Sequence, residues 1–520
     1  MTQPAKHAVR TALLVGLGVG LAVAGTAFVG PPDSVVRTHP EQVEPVVRST
    51  SVCPYIGGEP LAASRLGALA IEGVEEPAWL EQTTTEDGED EDPVVIRQLA
   101  GPDDNPDPIM TLDERGIPAT SAVDQSDPAA FSVRAEGPMA PGVVAEQYML
   151  AEGPDLRGVV TSACTAPGRE HWFVGASSGP GQRGRLLLNN ASTTPALATV
   201  SLWDETGPVE VAGTKDISIP PQSQHVLLLD ALVPEAEQLG VRVRVSQGRL
   251  AAGMDYRESA EGEPLGISMI PAATVPSPSV VVPGVPGDGE RTLHVIAPGD
   301  TDAIVTVRVL GPDGPFSPLD HDVLTVPAGA VASVPIGDAI GDAPAAILLE
   351  SDEEITAAVR VVSSGSNDEE DAAGGPDLAF TAATPALPDS PTAAVLSRDT
   401  SSMESRLLLT AVGDMGGRVT LTTMDGDGEV LDDRVIDIAA GSTVAADLES
   451  GEETAWAFTV VHAAAPGTVV AVREMTGSDD GGRLADLMPI VAPEVNVRVP
   501  EVTGELPTGL TPPGRTDLQQ

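Results

Sequence analysis

The chain has little positive charge. It contains 28 lysines and arginines against 77 acidic residues, lysine occurs only at Lys6 and Lys215, and the formal net charge is −49. Nucleic acids and anionic lipids are bound through basic surfaces, so this balance excludes the first as partners and disfavours the second. We expect a solvated acidic surface, with at most weak calcium binding in its acidic loops and no built metal site.

Cysteine is also rare, with only Cys53 and Cys164 in 520 residues. Two cysteines exclude a zinc site built on four thiolates. In an exported chain an even cysteine count favours a disulfide, which here would join residues 111 positions apart. Two unrelated buried thiols remain the alternative.

Aromatic residues are scarce as well: four Trp, three Tyr and six Phe. Sugar-binding sandwiches commonly stack ligands on exposed Trp and Tyr rings, so the scarcity weighs against a lectin. We expect Trp203 and Trp456 in sheet cores, Trp172 against the disulfide, and Trp79 exposed.

The N-terminus predicts export. Lys6 and Arg10 precede an uncharged apolar run over residues 11–30, and Pro31-Pro32 closes it. About twenty apolar residues can span a bilayer, and the basic flank predicts an N-inside orientation. Residues 1–32 are therefore a signal or transmembrane segment. The run's length favours a retained anchor, that is, a single-pass membrane protein with an extracytoplasmic C-terminal region, over a chain secreted after leader cleavage.

A pattern that recurs three times organises the rest of the chain. An arginine-led apolar strand opens each copy at Arg185, Arg291 and Arg406, and a last strand follows 65, 64 and 63 residues later at Leu250, Ile355 and Val469. Within each copy, apolar residues alternate along short strands separated by Asp- and Gly-rich turns. This pattern predicts an all-β chain of tandem β-sandwiches, immunoglobulin-like or fibronectin III-like, rather than a propeller.

The predicted organisation has six parts. The repeats occupy residues 169–275, 276–390 and 391–498, and a β-rich block over 33–168, with an acidic loop at 86–92, precedes them. The sequence leaves open whether this block is a separate domain or completes the first repeat. Residues 499–520 are predicted to be a disordered tail. Because tandem modules contact mainly their neighbours, the second and third repeats are expected to melt independently of the disulfide-bonded block.

Motifs for chemistry are weak. Gly175-Ala-Ser177-Ser-Gly179 matches the nucleophile elbow, but a Pro- and Gly-rich loop follows it where that motif requires a helix. The seven histidines, His171 and His225 among them, show no metal-binding spacing. Asp425-Gly-Asp-Gly-Glu429 reads as a hairpin turn rather than a calcium loop. We therefore predict no catalytic residue, no metal site and no cofactor, and the sequence names no ligand-binding residue.

Several segments together resemble a family of uncharacterised actinobacterial exported proteins. The resemblance covers about residues 50–495 and rests on Ser162-Ala-Cys164, His171-Trp-Phe-Val-Gly175, Leu186-Leu-Leu-Asn-Asn190, Ile217-Ser-Ile-Pro-Pro-Gln222 and Leu250-Ala-Ala-Gly-Met-Asp255. It implies an exported chain of tandem β repeats and carries no known activity. We expect a non-enzymatic cell-envelope scaffold or interaction module with a protein partner; a cell-wall glycan binder is the alternative.

Overall fold

The computed structural model describes residues 41–56, 62–74, 93–102, 104–123, 130–153, 156–363, 375–396, 403–448, 455–462 and 468–500. The chain divides into two compact units. Residues 1–44 with 498–520 form the first, and residues 45–497 form the second. In the first, the structure describes parts of strands β1 (Glu41–Pro45) and β35 (Asn496–Pro500), which pair with each other. All other strands belong to the second unit.

The N-terminal sandwich has two four-stranded sheets, with strand orders β2-β7-β4-β5 and β6-β3-β8-β9. A short 3-10 helix at Gly137–Met139 lies between its sixth and seventh strands. Its strands are β2 (Arg48–Cys53), β3 (Ala62–Ala70), β4 (Val94–Gln98), β5 (Met110–Leu112), β6 (Ala119–Ala122), β7 (Phe131–Glu136), β8 (Val143–Glu152) and β9 (Arg157–Ala163).

The first repeat has the sheet orders β10-β16-β12-β13 and β15-β11-β17-β18, with β14 also paired to β12. A short helix, Leu229–Leu232, directly follows β15. Its strands are β10 (Glu170–Ala176), β11 (Gln182–Asn190), β12 (Ala196–Trp203), β13 (Pro208–Val209), β14 (Ile217–Ile219), β15 (Ser223–Leu228), β16 (Leu239–Gln247), β17 (Ala251–Ala260) and β18 (Glu263–Ile270).

The second repeat merges its sheets through one long strand, β25, whose two halves serve as the sixth and seventh strands of the unit. A short helix, Gly337–Ile340, precedes it. The strands are β19 (Ser277–Val285), β20 (Glu290–Ala297), β21 (Ala303–Gly311), β22 (Gly314–Phe316), β23 (Val323–Val326), β24 (Ala330–Pro335), β25 (Ala345–Val362) and β26 (Leu378–Ala382).

The third repeat has the sheet orders β27-β32-β29-β30 and β31-β28-β33-β34. Its strands are β27 (Thr392–Val395), β28 (Met403–Ala411), β29 (Gly417–Met424), β30 (Val430–Ile438), β31 (Thr443–Asp447), β32 (Ala457–His462), β33 (Val469–Asp479) and β34 (Gly482–Pro489).

All four sandwiches share one strand order, so the N-terminal block is a fourth copy of the repeat. When β13 and β14, and likewise β22 and β23, are counted together as the fourth strand, the second strand of each copy pairs with the fifth and seventh, and the sixth pairs with the first and third. Arg65 opens the apolar part of β3 as Arg185 and Arg406 open those of β11 and β28, and each faces a residue of its seventh strand. The block therefore forms its own sandwich and does not complete the first repeat.

The four sandwiches close into a ring through their eighth strands. β9 contacts β18 and β34, and β26 contacts the same two strands. The last sandwich along the chain therefore packs against the first, and β34 meets β9 across more than 300 residues of sequence. A linear array of modules would leave both ends free, whereas here each sandwich packs against at least two others.

Asp377, just before β26, stands where these strands meet. One carboxylate oxygen accepts hydrogen bonds from the backbone N–H groups of Val159 and Ala485, each at 3.1 Å. The other accepts one from the N–H group of Leu378 at 2.8 Å. Burial raises the pKa of Asp377 well above its ordinary value, against the lowering effect of these bonds. The side chain thus joins the second repeat to the N-terminal sandwich and the third repeat.

Asp486, in β34, occupies a similar place. Its carboxylate accepts a hydrogen bond from the backbone N–H group of Thr161 at 2.7 Å and another from the hydroxyl of Ser268 at 3.4 Å. Burial raises its pKa to about 6, although the bonds to Thr161 and the charge of Arg473 act in the opposite direction. It joins the third repeat to the N-terminal sandwich and the first repeat.

Two glycines permit this close approach. Gly158 and Gly266 have φ values of 143° and 142°, a region that L side chains rarely adopt. A Cβ atom on Gly266 would lie 2.4 Å from the backbone nitrogen of Leu378, and one on Gly158 would lie 2.5 Å from a carboxylate oxygen of Asp377. Only glycine lets the eighth strands meet around the buried carboxylates.

The raised pKa of Asp486 gives a pH prediction. The folded state binds the carboxyl proton of Asp486 more tightly than the unfolded chain does. The stability that this protonated carboxyl group contributes is therefore complete below about pH 4 and is lost as pH rises through about 6. Raising the pKa of Asp486 from 3.8 to about 6 corresponds to about 3 kcal/mol. We expect the free energy of unfolding in urea to fall between pH 4.5 and 7.5, and to fall less in Asp486→Asn.

The exposed Asp437→Asn variant is the control for this experiment and should keep the wild-type pH profile. Equal slopes in the wild type and Asp486→Asn would contradict the assignment of the pH dependence to Asp486.

The predicted all-β class is confirmed, with paired sheets in every copy, and so is the Cys53–Cys164 disulfide. Trp172 does not pack on that disulfide. It stacks on Trp203 with ring centroids 5.3 Å apart, because β10 directs it into the core shared with the second repeat.

Some predictions concern residues that the structure does not describe. The segment over residues 11–30, the acidic loop at 86–92, Trp79 and residues 501–520 lie outside the described residues. Within the described ranges, no helix has the length and apolar character needed to cross a membrane.

Candidate functional site

A polar cleft lies between the first and second repeats. Its volume is about 970 Å³, and residues from both sandwiches line it. Binding sites for small molecules favour such boundaries between packed units and usually measure about 300–1,000 Å³. The cleft is therefore the best candidate for a functional site in the described chain.

The second repeat supplies the floor. Side chains alternate along β20, so Leu293 and Val295 enter the core while Thr292 and His294 face the first repeat. The neighbouring strands add Ser333 from β24 and Arg360 from β25, which pair with His294 and Thr292 respectively in the two ladders.

In this copy the repeat's arginine faces the opposite way. Arg291 is buried and donates hydrogen bonds to the carbonyl oxygens of Pro286, Gly337 and Gly341, at 2.9 to 3.0 Å. Thr292 takes the outward position that Arg185 has in the first repeat. In the second repeat the arginine therefore comes one residue earlier in the strand register, and the hydroxyl of Thr292 takes its place on the floor of the cleft.

The first repeat supplies the opposite wall. Ser177 lies in the loop between β10 and β11, and Gln182 begins β11. Glu237 and Gln238 come from the segment before β16, and Glu258 comes from β17. Hydroxyl, amide and carboxylate groups therefore converge on the floor.

An ion pair joins the floor of the cleft to the opposite wall. The guanidinium of Arg360 donates from Nη2 and Nε to one carboxylate oxygen of Glu258, at 2.7 and 3.0 Å. The Gln182 amide donates to the other oxygen at 3.4 Å. Both charged side chains are mostly buried. Arg360 is thus already neutralised by a carboxylate of the same cleft.

His294 has one buried ring nitrogen without a hydrogen-bond partner in the described part of the chain. Its Nδ1 lies 2.5 Å from the hydroxyl oxygen of Ser333, and among the described residues its Nε2 is buried without a hydrogen-bond partner. Burial lowers the pKa of His294 to about 3, and the charge of Arg360 adds to this effect. The imidazole is therefore neutral at physiological pH and has one ring nitrogen without a hydrogen-bond partner from any residue that the structure describes.

The structure places Ser177 in this cleft without the surroundings of a nucleophile. Its hydroxyl is hydrogen-bonded to that of Tyr256, whose pKa burial raises further above its ordinary value. A phenol with a raised pKa is a poor base at neutral pH. The loop after β10 leads into another strand, as the sequence predicts, and not into the helix of a nucleophile elbow.

The structure describes some of the segments that were considered for metal binding. In the described ranges, no group of three or more His, Cys, Asp or Glu side chains could hold a metal ion. The Asp425 carboxylate accepts hydrogen bonds from the backbone N–H groups of Asp427 and Glu429, both at 2.9 Å, so this segment forms the predicted turn. A second acidic run, Asp368 to Asp371, in which weak calcium binding could be expected, lies outside the described residues.

Sequence reasoning did not single out His294 or Arg360. Neither belongs to a motif, and each reaches the cleft only because two sandwiches pack together. One signal was present: alternation places Arg291 on the core side of its strand, in contrast to Arg185 and Arg406.

Comparison with protein families gives one match. A family described as a family of unknown function, DUF5719, matches residues 119–449, which is more than half of the chain. The matched region contains the whole cleft and both repeats that form it. No curated protein matches the chain.

Proposed function

The chain belongs to the DUF5719 family, whose function is unknown, and we propose that it is a non-catalytic cell-envelope protein that acts as a scaffold or interaction module outside the cytoplasm. The observation that carries this proposal is the closure of four sandwiches into one compact unit. A closed ring holds its surfaces in fixed relative positions, which suits a protein that presents binding surfaces to others.

The compartment in this proposal rests on two features. The Cys53–Cys164 disulfide is of the kind that persists in oxidising surroundings. The apolar run over residues 11–30 would serve as a single-pass anchor, or as a leader if the chain is secreted. The resemblance to actinobacterial exported proteins agrees with both.

An immunoglobulin-like class for the sandwiches is part of the proposal. The second strand pairs with the fifth and the third with the sixth, as strands B and E, and C and F, do in immunoglobulin domains. The first and seventh strands depart from that order, since the first pairs with the sixth and the seventh pairs with the second.

A crosslinking experiment in the native cells tests the scaffold role. Tagged full-length protein, crosslinked in intact cells and purified from solubilised envelopes, should recover an envelope protein in near-stoichiometric amount. The control is a tagged fragment of residues 1–40, which carries the apolar segment alone and should not recover it. If the full chain yields no partner above the untagged background, the scaffold role is wrong.

Cell-wall glycan binding is the second candidate function. The cleft favours it, because hydroxyl and amide side chains line much of a cavity of suitable size.

A further inference from the structure

The position of His294 carries apolar residues or glycine in the other three copies. The strand register places Leu187, Leu408 and Gly67 at the equivalent position of β11, β28 and β3. Leu187 packs in an apolar cluster with residues of the N-terminal sandwich. A Cβ atom on Gly67 would lie 2.8 Å from Val395 of the third repeat, so those surfaces touch. Only at His294 does a polar side chain take this place.

The boundary at His294 is also more open than the one between the N-terminal sandwich and the third repeat. A cavity of about 90 Å³ lies at the latter, and Val143, Ala393 and Met488 are among the residues that line it. The cleft between the first and second repeats is about ten times larger and has a polar lining. The fold can therefore pack such a boundary tightly, whereas the side chains between the first and second repeats leave a cleft.

The charges of the cleft select against anions. Three carboxylates line it, those of Glu237, Glu258 and Glu290, and its single guanidinium is bound to Glu258. The imidazole of His294 is neutral. An anionic ligand would meet net negative charge in a chain whose overall charge is already −49. The lining offers hydrogen bonds to a neutral molecule.

The lining suits a ligand rich in hydroxyl groups. Four hydroxyl side chains and two amides line the cleft: Ser177, Thr292, Ser333, Ser363, Gln182 and Gln238. Each is both a donor and an acceptor, as a sugar hydroxyl is. No Phe, Tyr or Trp stands among the lining residues, so a ligand here is held by hydrogen bonds and not by ring stacking.

We propose that this cleft is a binding site for neutral saccharides, in which Thr292 on the floor and the unpartnered Nε2 of His294 hydrogen-bond to sugar hydroxyl groups. The volume accommodates a short oligosaccharide. The inference rests on the proposed function in one respect only, namely that the ligand of the cleft is a glycan at the cell surface. It does not depend on a protein partner.

Titration with defined sugars tests the site. Full-length protein in mild detergent is titrated, by calorimetry and saturation-transfer NMR, with trisaccharides of glucose, galactose, mannose, arabinose and N-acetylglucosamine, and with a trigalacturonate as the anionic counterpart. At least one neutral trisaccharide should bind, and trigalacturonate should bind at least tenfold more weakly.

Two cleft variants locate the binding. His294→Leu introduces the residue that two equivalent strands carry, so it should fold, and it removes the imidazole. Thr292→Val removes one hydroxyl with little change of shape. We expect each variant to bind the sugar about tenfold more weakly, which is the usual effect of losing one hydrogen bond to a buried group. The matched control, His225→Leu, changes a half-buried histidine of β15 that does not line the cleft and should bind as the wild type does.

Three outcomes would overturn the inference: no neutral trisaccharide binds, trigalacturonate binds as tightly, or both cleft variants bind sugar unchanged while melting at the wild-type temperature. None of these bears on the crosslinked partner. Equally, failure to capture a partner leaves a saccharide that binds through His294 and Thr292 untouched, so the two proposals fail separately.

Discussion

Removing the disulfide should destabilise the whole ring by about 4 kcal/mol. Cys53 ends β2 and Cys164 follows β9, so the bond closes a loop across the N-terminal sandwich with a sequence separation of 111 residues. In the chain-entropy description, a loop of this length contributes between 4 and 5 kcal/mol as an upper value, at about 25 °C. We expect Cys53→Ala/Cys164→Ala to lower the urea midpoint and the melting temperature.

The ring also predicts how the protein melts. The repeat pattern alone predicts that the second and third repeats melt independently of the N-terminal block. The structure leads to a different expectation, because the third repeat packs against that block as well as against the second repeat. Calorimetry of the reduced protein should therefore show one transition, moved as a whole to lower temperature.

Two measurements check this prediction. The native protein should contain no thiol that can be alkylated, and mass spectrometry without reduction should give one crosslinked peptide pair. Two separate transitions, with the later one unmoved by reduction, would show that the sandwiches unfold as independent modules.

The strands and turns were readable from the sequence because they are local. Alternating apolar residues and Asp- and Gly-rich turns predict the hairpins of the three repeats, as in Ala198–Trp203 of β12. The fourth copy was missed. After Arg65-Leu66 its strand continues with Gly67 and Ala68, and a strand of small residues lacks the leucine run that marks the first and third repeats.

The ring was not predicted because its contacts are distant in sequence and lie on the outer faces of the sheets. Alternation shows which face enters a sandwich core but not what covers the other face. One signal was available: Leu186, Leu187 and Leu188 form a continuous apolar run, which is typical of a strand buried on both faces. Nothing local distinguishes buried carboxylates such as Asp486 from those on the surface.

The same limit explains the cleft. Thr292 and His294 can be assigned to one face of β20 by alternation, whereas Glu258 and Arg360 are 102 residues apart and meet only after two sandwiches pack. A site at the boundary between copies is therefore invisible to an analysis of one copy at a time.

The largest expected effect belongs to a buried ion pair that closes the ring. Arg473 in β33 donates from Nη1 to both carboxylate oxygens of Glu146 in β8, at 2.8 and 2.9 Å. The two side chains are 0% and 4% exposed. Burial raises the pKa of Glu146, and the charge of Arg473 partly offsets this. The pair lies between the third repeat and the N-terminal sandwich.

Replacing one partner leaves a buried charge without its counterion, which typically costs about 3 to 5 kcal/mol. We expect Glu146→Leu to lower the free energy of unfolding in urea by that amount. Arg418→Ala is the matched control: it breaks the exposed pair with Asp437, whose side chains are 56% and 70% exposed. An exposed pair of this kind contributes little to stability, because water and salt screen it.

The double variant Glu146→Leu/Arg473→Met separates an uncompensated charge from a loss of packing. Replacing both charges with apolar groups of similar size removes the desolvation penalty, so most of the lost stability should return. If the double variant stays as unstable as Glu146→Leu, lost packing is the cause. If Glu146→Leu loses no more stability than Arg418→Ala, the ion pair is hydrated and the boundary is held by its apolar contacts.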